Sequence, residues 1–295
     1  MIFKMLTRVF PLFILMASCH SDDMDAALDD DSDDGDDNDL ALSVELLLEG
    51  SNFENLCGIS RIDSVGNNYH LYFDRDLCTD NIKRSGEIAV ALVKGIDWAE
   101  EHAEMEITYV DFTFEKVGQQ TGGDKKYFSK RTMNGKETVV NLTGQTLSDF
   151  LQKKTDLLKR RITNRNVYVR YNDNPTPLIY NKTAIREVAR TAGRETITLK
   201  GDTSVLGHDQ VFEWGTDRDN QRFFNVITQP LIKTLCDERW IITSGEKTRF
   251  GNTSTKHTFY GVDAAGNPNG SCDAYGFKEQ WIGTDGSEQT IIYRY

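Results

Sequence analysis

Apolar and polar residues alternate over short runs along most of the chain. Such alternation marks half-buried strands, because successive side chains of an extended backbone point to opposite faces. Tyr69, Leu71 and Phe73 alternate with polar neighbours, as do Ile88, Val90 and Leu92. Thr108, Val110, Phe112 and Phe114 make one predicted face, with Asp111, Thr113 and Glu115 on the other. Asn134-Gly135 lies between Tyr127-Phe128 and Thr138-Val139-Val140. It predicts a tight hairpin, since both residues accept positive φ. Further strands are predicted over 167–171, 196–199, 211–214, 223–228, 240–243 and 255–260. Tyr275, Phe277, Glu279 and Trp281, an Asp285-Gly286 turn and residues 290–295 then form a closing hairpin. So many short strands separated by turn residues predict a mainly β fold: an antiparallel meander or hairpin sheet, built as a sandwich or one large twisted sheet.

One or two short helices interrupt it. Over 146–161, Leu147, Phe150, Leu151, Leu157 and Leu158 recur at mostly helical spacing, with Lys153, Lys154, Lys159, Arg160 and Arg161 late in the run. Basic residues near a helix C-terminus favour the macrodipole. That basic face reads either as the solvated side of a helix on a sheet or as a dock for an anionic glycan or lipid. Leu40 to Leu48 predicts a second short helix, and Thr183 to Ala192 a weaker third that ends at Gly193.

The amino terminus changes the picture. Residues 1–18 hold Lys4 and Arg8, an apolar core from Val9 to Met16 and the small pair Ala17-Ser18, the layout of a secretory signal too short to span a bilayer. Cys19 follows directly, in the position of the acylated cysteine of a bacterial lipoprotein signal. Met16 stands where such signals usually have Leu. Between His20 and Leu40 lie eleven Asp and no Lys or Arg, so most of the formal charge of −12 belongs to this stretch; residues 41–295 carry only −3. The chain thus divides into a signal (1–18), an acylated Cys with an acidic, self-repelling tether (19–40) and a single β-rich domain (41–295). Asp30, Ser32, Asp34, Gly35, Asp36 and Asn38 match part of a calcium loop, but Ala41 stands where the bidentate carboxylate belongs. A near-neutral body lacks the cationic face that nucleic acid requires. Its 38% apolar and 10% aromatic content is that of a globular chain.

Five cysteines are present, and acylation of Cys19 leaves four in an oxidising compartment. Cys57 and Cys78 flank the turn-like Gly66-Asn67-Asn68, and Cys236 and Cys272 flank Gly251-Asn252. Each pair faces across a hairpin-like excursion, which favours Cys57–Cys78 and Cys236–Cys272 among the three possible connectivities. No Cys-x-x-Cys exists, and no zinc site is expected.

These residues sit within a wider signature. His20-Ser21-Asp22-Asp23-Met24-Asp25 looks like the acidic export signal of Bacteroidota surface lipoproteins. Cys57…Tyr69-His70-Leu71-Tyr72-Phe73-Asp74…Cys78-Thr79-Asp80…Arg84-Ser85-Gly86-Glu87-Ile88 resembles a recurring run in exported β-rich lipoproteins of that group. So do Asp209-Gln210-Val211-Phe212-Glu213, Ile227-Thr228-Gln229-Pro230-Leu231, Cys236, Ser244-Gly245 and Gly270-Ser271-Cys272-Asp273. Trp98-Ala99-Glu100-Glu101-His102 and the helix-like 146–161 depart from it, since such proteins more often continue there as strand. The resemblance implies a lipid-anchored protein on the outer membrane, facing the extracellular side. It carries no catalytic residue across.

Little chemistry is visible. There is no nucleophile elbow, phosphate loop, dinucleotide fingerprint or His-Glu-x-x-His. Glu100, Glu101, His102, Glu104 and Glu106 form the densest titratable cluster, readable as an acid/base or metal set or as an acidic surface loop. His208-Asp209 near Glu213 offers an oriented imidazole without a nucleophile. Asp63-Ser64-Val65 resembles a three-residue O-glycosylation motif of the same group. Trp98, Trp214, Trp240 and Trp281, with eleven Tyr, read as core or as stacking platforms for sugar rings. The expected function is a membrane-anchored binding or structural module for a polysaccharide or protein ligand, with no cofactor. The competing expectation is a glycan hydrolase, which needs two carboxylates roughly 5–10 Å apart in a cleft.

Overall fold

A computed structural model describes residues 44–295 apart from 46–47, 50–57, 75–81, 120–125, 172–173, 192, 218–219, 238 and 253. The strands are β1 (Ile59–Val65), β2 (Asn68–Phe73), β3 (Ile82–Lys94), β4 (Glu104–Gln119), β5 (Lys126–Asn141), β6 (Leu157–Tyr171), β7 (Asn174–Thr191), β8 (Arg194–Gly201), β9 (Thr203–Val205), β10 (His208–Thr216), β11 (Arg222–Cys236), β12 (Arg239–Phe250), β13 (Ser254–Val262), β14 (Gly276–Gly283) and β15 (Glu288–Arg294). All belong to one sheet, in the order β1 to β7, then β10 to β15. The mainly β, antiparallel expectation holds, with every strand in a single hydrogen-bonded sheet. The predicted turns at Gly66-Asn67 and Asp285-Gly286 close the β1–β2 and β14–β15 hairpins.

One irregularity organises the middle. The 18-residue β7 and the 15-residue β11 are long enough to hold two short strands end to end between them. β8 pairs with Ala184–Thr191 of β7 and Leu231–Thr234 of β11. β10 takes the rest of the slot, against Tyr180–Lys182 and Arg222–Val226. Gly201 ends β8 where a Cβ would lie 2.0 Å from the Gln210 carbonyl oxygen, so only glycine lets the two strands abut.

Four sequence expectations need correction. Asn134-Gly135 makes no turn: β5 runs straight through it with a register shift against β4 and β6. Asn134 uses both ends of its amide on Asp111, accepting from its N–H (2.9 Å) and donating to its carboxylate (3.0 Å), and Gly135 at φ 138° kinks the strand beneath Val167. The pair that usually turns a hairpin here builds a bulge. Second, the bulge at Asp111 (φ 46°) switches β4 between faces, so Val110 is exposed while Phe112 and Phe114 are buried. Third, the helix over 146–161 is only α1, Leu147–Leu151. Lys153 at φ 59° ends it, and from Leu157 the chain is strand, with Leu158 and Arg160 buried and Leu157 exposed. The basic run of Lys159, Arg160 and Arg161 alternates across the sheet instead of lining one helical face. Fourth, Thr183–Ala192 belongs to β7 up to Thr191: β-branched Thr183, Ile185, Val188 and Thr191 suit a strand that has neighbours on both sides.

Cys236 and Cys272 are bridged, with Cα atoms 5.5 Å apart. Cys19, the acidic tether with its Asp-rich loop, Cys57 and Cys78 lie outside the described residues.

The apolar core forms two main bodies. One joins β1 to β6 through Leu71, Ile88, Val90, Ile107, Phe112, Val139 and Ile162; the other joins β7 to β14 through Ala184, Leu199, Phe212, Ile227 and Tyr260. Between them the same face carries a cross-strand register of Glu137, Asn164, Lys182, Glu213 and Asn225, all buried.

The segment just after the tether is fastened to this face by two carboxylates four residues apart in sequence, Glu45 and Glu49. Glu45 accepts from Arg160 Nε at 2.9 Å and from Arg186 Nη2, and all three side chains are at most 1% exposed. Arg160 is held independently by the Asn141 side chain (2.7 Å) and the Gln145 carbonyl (2.8 Å). Glu49 meets the first turn of α1, accepting from the N–H of Leu147 and Ser148 at 2.7 and 2.8 Å and from the Ser148 hydroxyl at 2.6 Å. Thr146 and Asp149 complete a capping box on the same turn. Burial pushes the Glu49 carboxyl up despite these donors. Burial and the neighbouring Arg160 lower the Arg186 guanidinium, against the pull of Glu45.

Two outcomes follow from this packing. Glu45→Ala removes the carboxylate that two buried guanidinium groups share and should lower unfolding free energy by about 3–5 kcal/mol in urea titrations. Losing the Cys236–Cys272 bridge by double Ser substitution should cost about 4 kcal/mol in the chain-entropy model. A third concerns pH. Because the folded-state pKa of Glu49 is raised, protonation favours the folded form. The wild type should therefore gain stability relative to Glu49→Gln as pH falls through that raised value, levelling off below the unfolded one. A flat difference between the two across mildly acidic pH would contradict it.

Candidate functional site

The face opposite the buried charges presents rings. On adjacent strands Trp214, Phe224 and Phe250 stand in register, followed by Thr255 and Ile282. Phe224 and Phe250 stack at 4.8 Å and 17°. His208, at the start of β10, closes on both, 4.9 Å from one ring and 4.7 Å from the other. His208 is exposed and the other three are half-buried, while Val211, Val226 and Thr248 in the neighbouring register row are buried.

The next row along these strands is Val226, Thr248, His257 and Gln280, where the Thr248 hydroxyl and His257 Nδ1 are 3.0 Å apart. The row after that holds Gln229, Glu246, Phe259 and Lys278. His257 stacks on Phe259 at 6.3 Å, and Lys278 sits 4.6 Å over the Phe259 ring. Ring faces thus alternate with hydrogen-bonding groups, and Glu246 and Lys278 add one charge of each sign beside Phe259. That combination suits a ligand that is apolar on one side and hydroxylated around its edge.

A strained turn borders this face. β9 and β10 form a hairpin through Leu206-Gly207, with Leu206 at φ 51° and 82% exposed. A leucine in the left-handed region and in water is unfavourable on both counts, and strain of this kind clusters at functional surfaces.

The sequence-derived candidates are scattered by comparison. Trp98 is buried under Arg160, whose guanidinium lies 5.2 Å from its ring. Trp240 packs against the cluster around α1, and Trp281 faces the inner side with Lys256 at 5.9 Å. Only Trp214 joins the aromatic row. His208 and Asp209 share the exposed hairpin, where Asp209 accepts from the Ser204 hydroxyl at 2.5 Å, but Glu213 points to the buried face. Glu100, Glu101 and His102 lie on the exposed β3–β4 loop, while Glu104 and Glu106 pair with Lys94 and Lys136 at 2.8 Å each. No metal-binding group of three or more His, Cys, Asp or Glu occurs among the described residues. Glu137 and Glu213 are three strand spacings apart, roughly 14 Å, and buried, so they do not form the hydrolytic pair. Ser64, within the tripeptide glycosylation motif, is exposed near the end of β1.

Nothing in the sequence marks Phe224, Phe250 and His208 as a platform; the spacing of these rings across strands appears only in the register. Compared with known proteins, the chain matches no family model, no curated sequence and no solved structure.

Leu206→Asn, which places a residue tolerant of positive φ at the hairpin tip, should raise unfolding free energy by about 1 kcal/mol in denaturant titrations. An unchanged or lower stability would show that the turn is not strained.

Proposed function

We propose that this protein is a membrane-anchored, surface-exposed lipoprotein acting as a binding module for a polysaccharide. The ligand lies on the outer face of β10 to β13, and the acidic tether carries the β-body away from the membrane. The observation that supports this best is the row of rings, Trp214, Phe224 and Phe250 with His208, left accessible on a sheet whose opposite face is filled. One strand spacing is close to the length of a pyranose ring, so a chain lying across the strands meets a ring or a hydrogen-bonding group at each step. A polysaccharide is favoured by the composition of the middle row, where half-buried His257 and Gln280 offer donors and acceptors over a buried Thr248. Acylation of Cys19 supplies the membrane contact, at about 0.8 kcal/mol for each buried methylene.

Intact cells carrying the full chain should be retained on an immobilised polysaccharide panel. Phe224→Ala and Phe250→Ala should each weaken retention roughly tenfold while leaving the thermal transition in place. Cys19→Ser should release the protein from the membrane fraction. Retention that is indifferent to both aromatic substitutions would remove the aromatic face as the binding surface. Resistance to externally added protease on intact cells would remove surface display.

A further inference from the structure

β15 ends the sheet, and among the described residues only β14 pairs with it. Its hydrogen-bonding direction is fixed by the flanking contacts. Gly283 N–H donates to Ser287 O at 2.9 Å and Tyr295 N–H to Tyr275 O at 3.0 Å, so the odd-numbered residues of the strand bond inward to β14. In an antiparallel ladder the alternate residues then point their N–H and C=O outward. Among the described residues nothing pairs with the outward ladder of Glu288, Thr290, Ile292 and Arg294, along a seven-residue strand joined to β14 without a register shift.

The other end of the sheet is built differently. β1 carries a register shift between Ile59 and Arg61, and the Arg61–Asp63 ion pair at 3.2 Å sits mid-strand. Bulges and mid-strand charges are devices that block edge pairing. β15 has neither; its centre is Gln289-Thr290-Ile291-Ile292, and its charges lie at the two ends with opposite sign.

We infer that β15 is a dimerisation edge, pairing antiparallel with β15 of a second copy about a two-fold axis through Ile291. In that register Glu288 faces Arg294 of the second copy and Thr290 faces Ile292, and each relation occurs twice. Every outward-pointing backbone group then gains a partner. Parity alone also admits registers shifted by two residues, but only this one sets both end charges against their opposites. Opposed charges stabilise cross-strand pairs, and like charges disrupt them. Ile291, 46% exposed on the inner side, is covered by its own symmetry mate. A two-fold contact of this kind closes on itself and does not propagate into a filament. It also places the aromatic faces of both copies on the same side of one continuous sheet.

The test uses the full chain in cells. Ile291 and its mate form a non-hydrogen-bonded pair, with Cα atoms about 4.5 Å apart, within reach of a disulfide. Ile291→Cys should give a reducible dimer on non-reducing gels, well above the background of the unmodified chain and of Val65→Cys, an exposed position at the end of β1. In the I291C background, Glu288→Arg or Arg294→Glu alone should reduce the dimer roughly tenfold, and the two together should restore it. An Ile291→Cys chain that stays protease-resistant and monomeric overturns the proposal. Cross-linking unaffected by either charge reversal overturns the register and with it the paired edge.

Discussion

Five buried polar side chains in cross-strand register, Glu137, Asn164, Lys182, Glu213 and Asn225, hold the two halves of this sheet together. The apolar clusters lie on either side of them, one on β1 to β6 and the other mainly on β7 to β14. An apolar row would tolerate a slip of two residues at modest cost. A charged row would not, because a displaced Lys182 or Glu213 would be buried opposite the wrong neighbour. A one-residue slip is worse still, since it would drive the whole set to the other face. Hydrogen bonds reinforce the row, with Tyr180 donating its hydroxyl proton to Glu213 and the Asn225 amide donating to the same carboxylate at 2.9 Å. Among the described residues no donor meets the Oδ1 atoms of Asn164 and Asn225, which marks what this arrangement costs.

The row also explains why the candidate site lies where it does. With one face committed to charges, the other is free to carry rings. β11 is the hinge of this division: Asn225 and Ile227 are buried on the inner side, while Phe224 faces out in line with Trp214 and Phe250. The end-to-end placement of β8 and β10 serves the same division. It brings the β9–β10 hairpin up beside β11, so that His208 closes over Phe224 and Phe250. Leu206 at the tip of that hairpin sits in a conformation that an asparagine would occupy more easily.

Much of the fold was legible from alternation alone. Many of the strands, the terminal hairpin and the Cys236–Cys272 pairing follow from local pattern and turn residues, and the structure has them. What misled was chemistry with two readings. Asn134-Gly135 serves a tight turn or a bulge equally well, and the choice was made by Asp111, 23 residues away. Leu157, Leu158 and the basic run after them have helical spacing, yet Arg160 and Arg186 must face the same side to reach Glu45. That requirement is met by neighbouring strands and is invisible in a one-dimensional pattern. The aromatic row was illegible for a similar reason. Trp214, Phe224 and Phe250 are spaced irregularly along the chain and become neighbours only through the register of three strands.

Glu45 and Glu49 give the acidic amino terminus a structural meaning beyond charge. The Asp-rich stretch ends a few residues before a segment whose two carboxylates are consumed by the body, one by buried arginines and one by the N-terminus of α1. On the proposed anchoring, load carried along the tether enters the domain there, at α1 and the starts of β6 and the paired half of β7, close to the middle of the sheet. A pull at an edge strand would peel it from its neighbour one hydrogen bond at a time. A pull at the middle is resisted by ladders on both sides and by two charge-assisted contacts together. This leaves the outer face of β10 to β13 and the edge of β15 away from the point of attachment, which is where a tethered module needs its free surfaces to be.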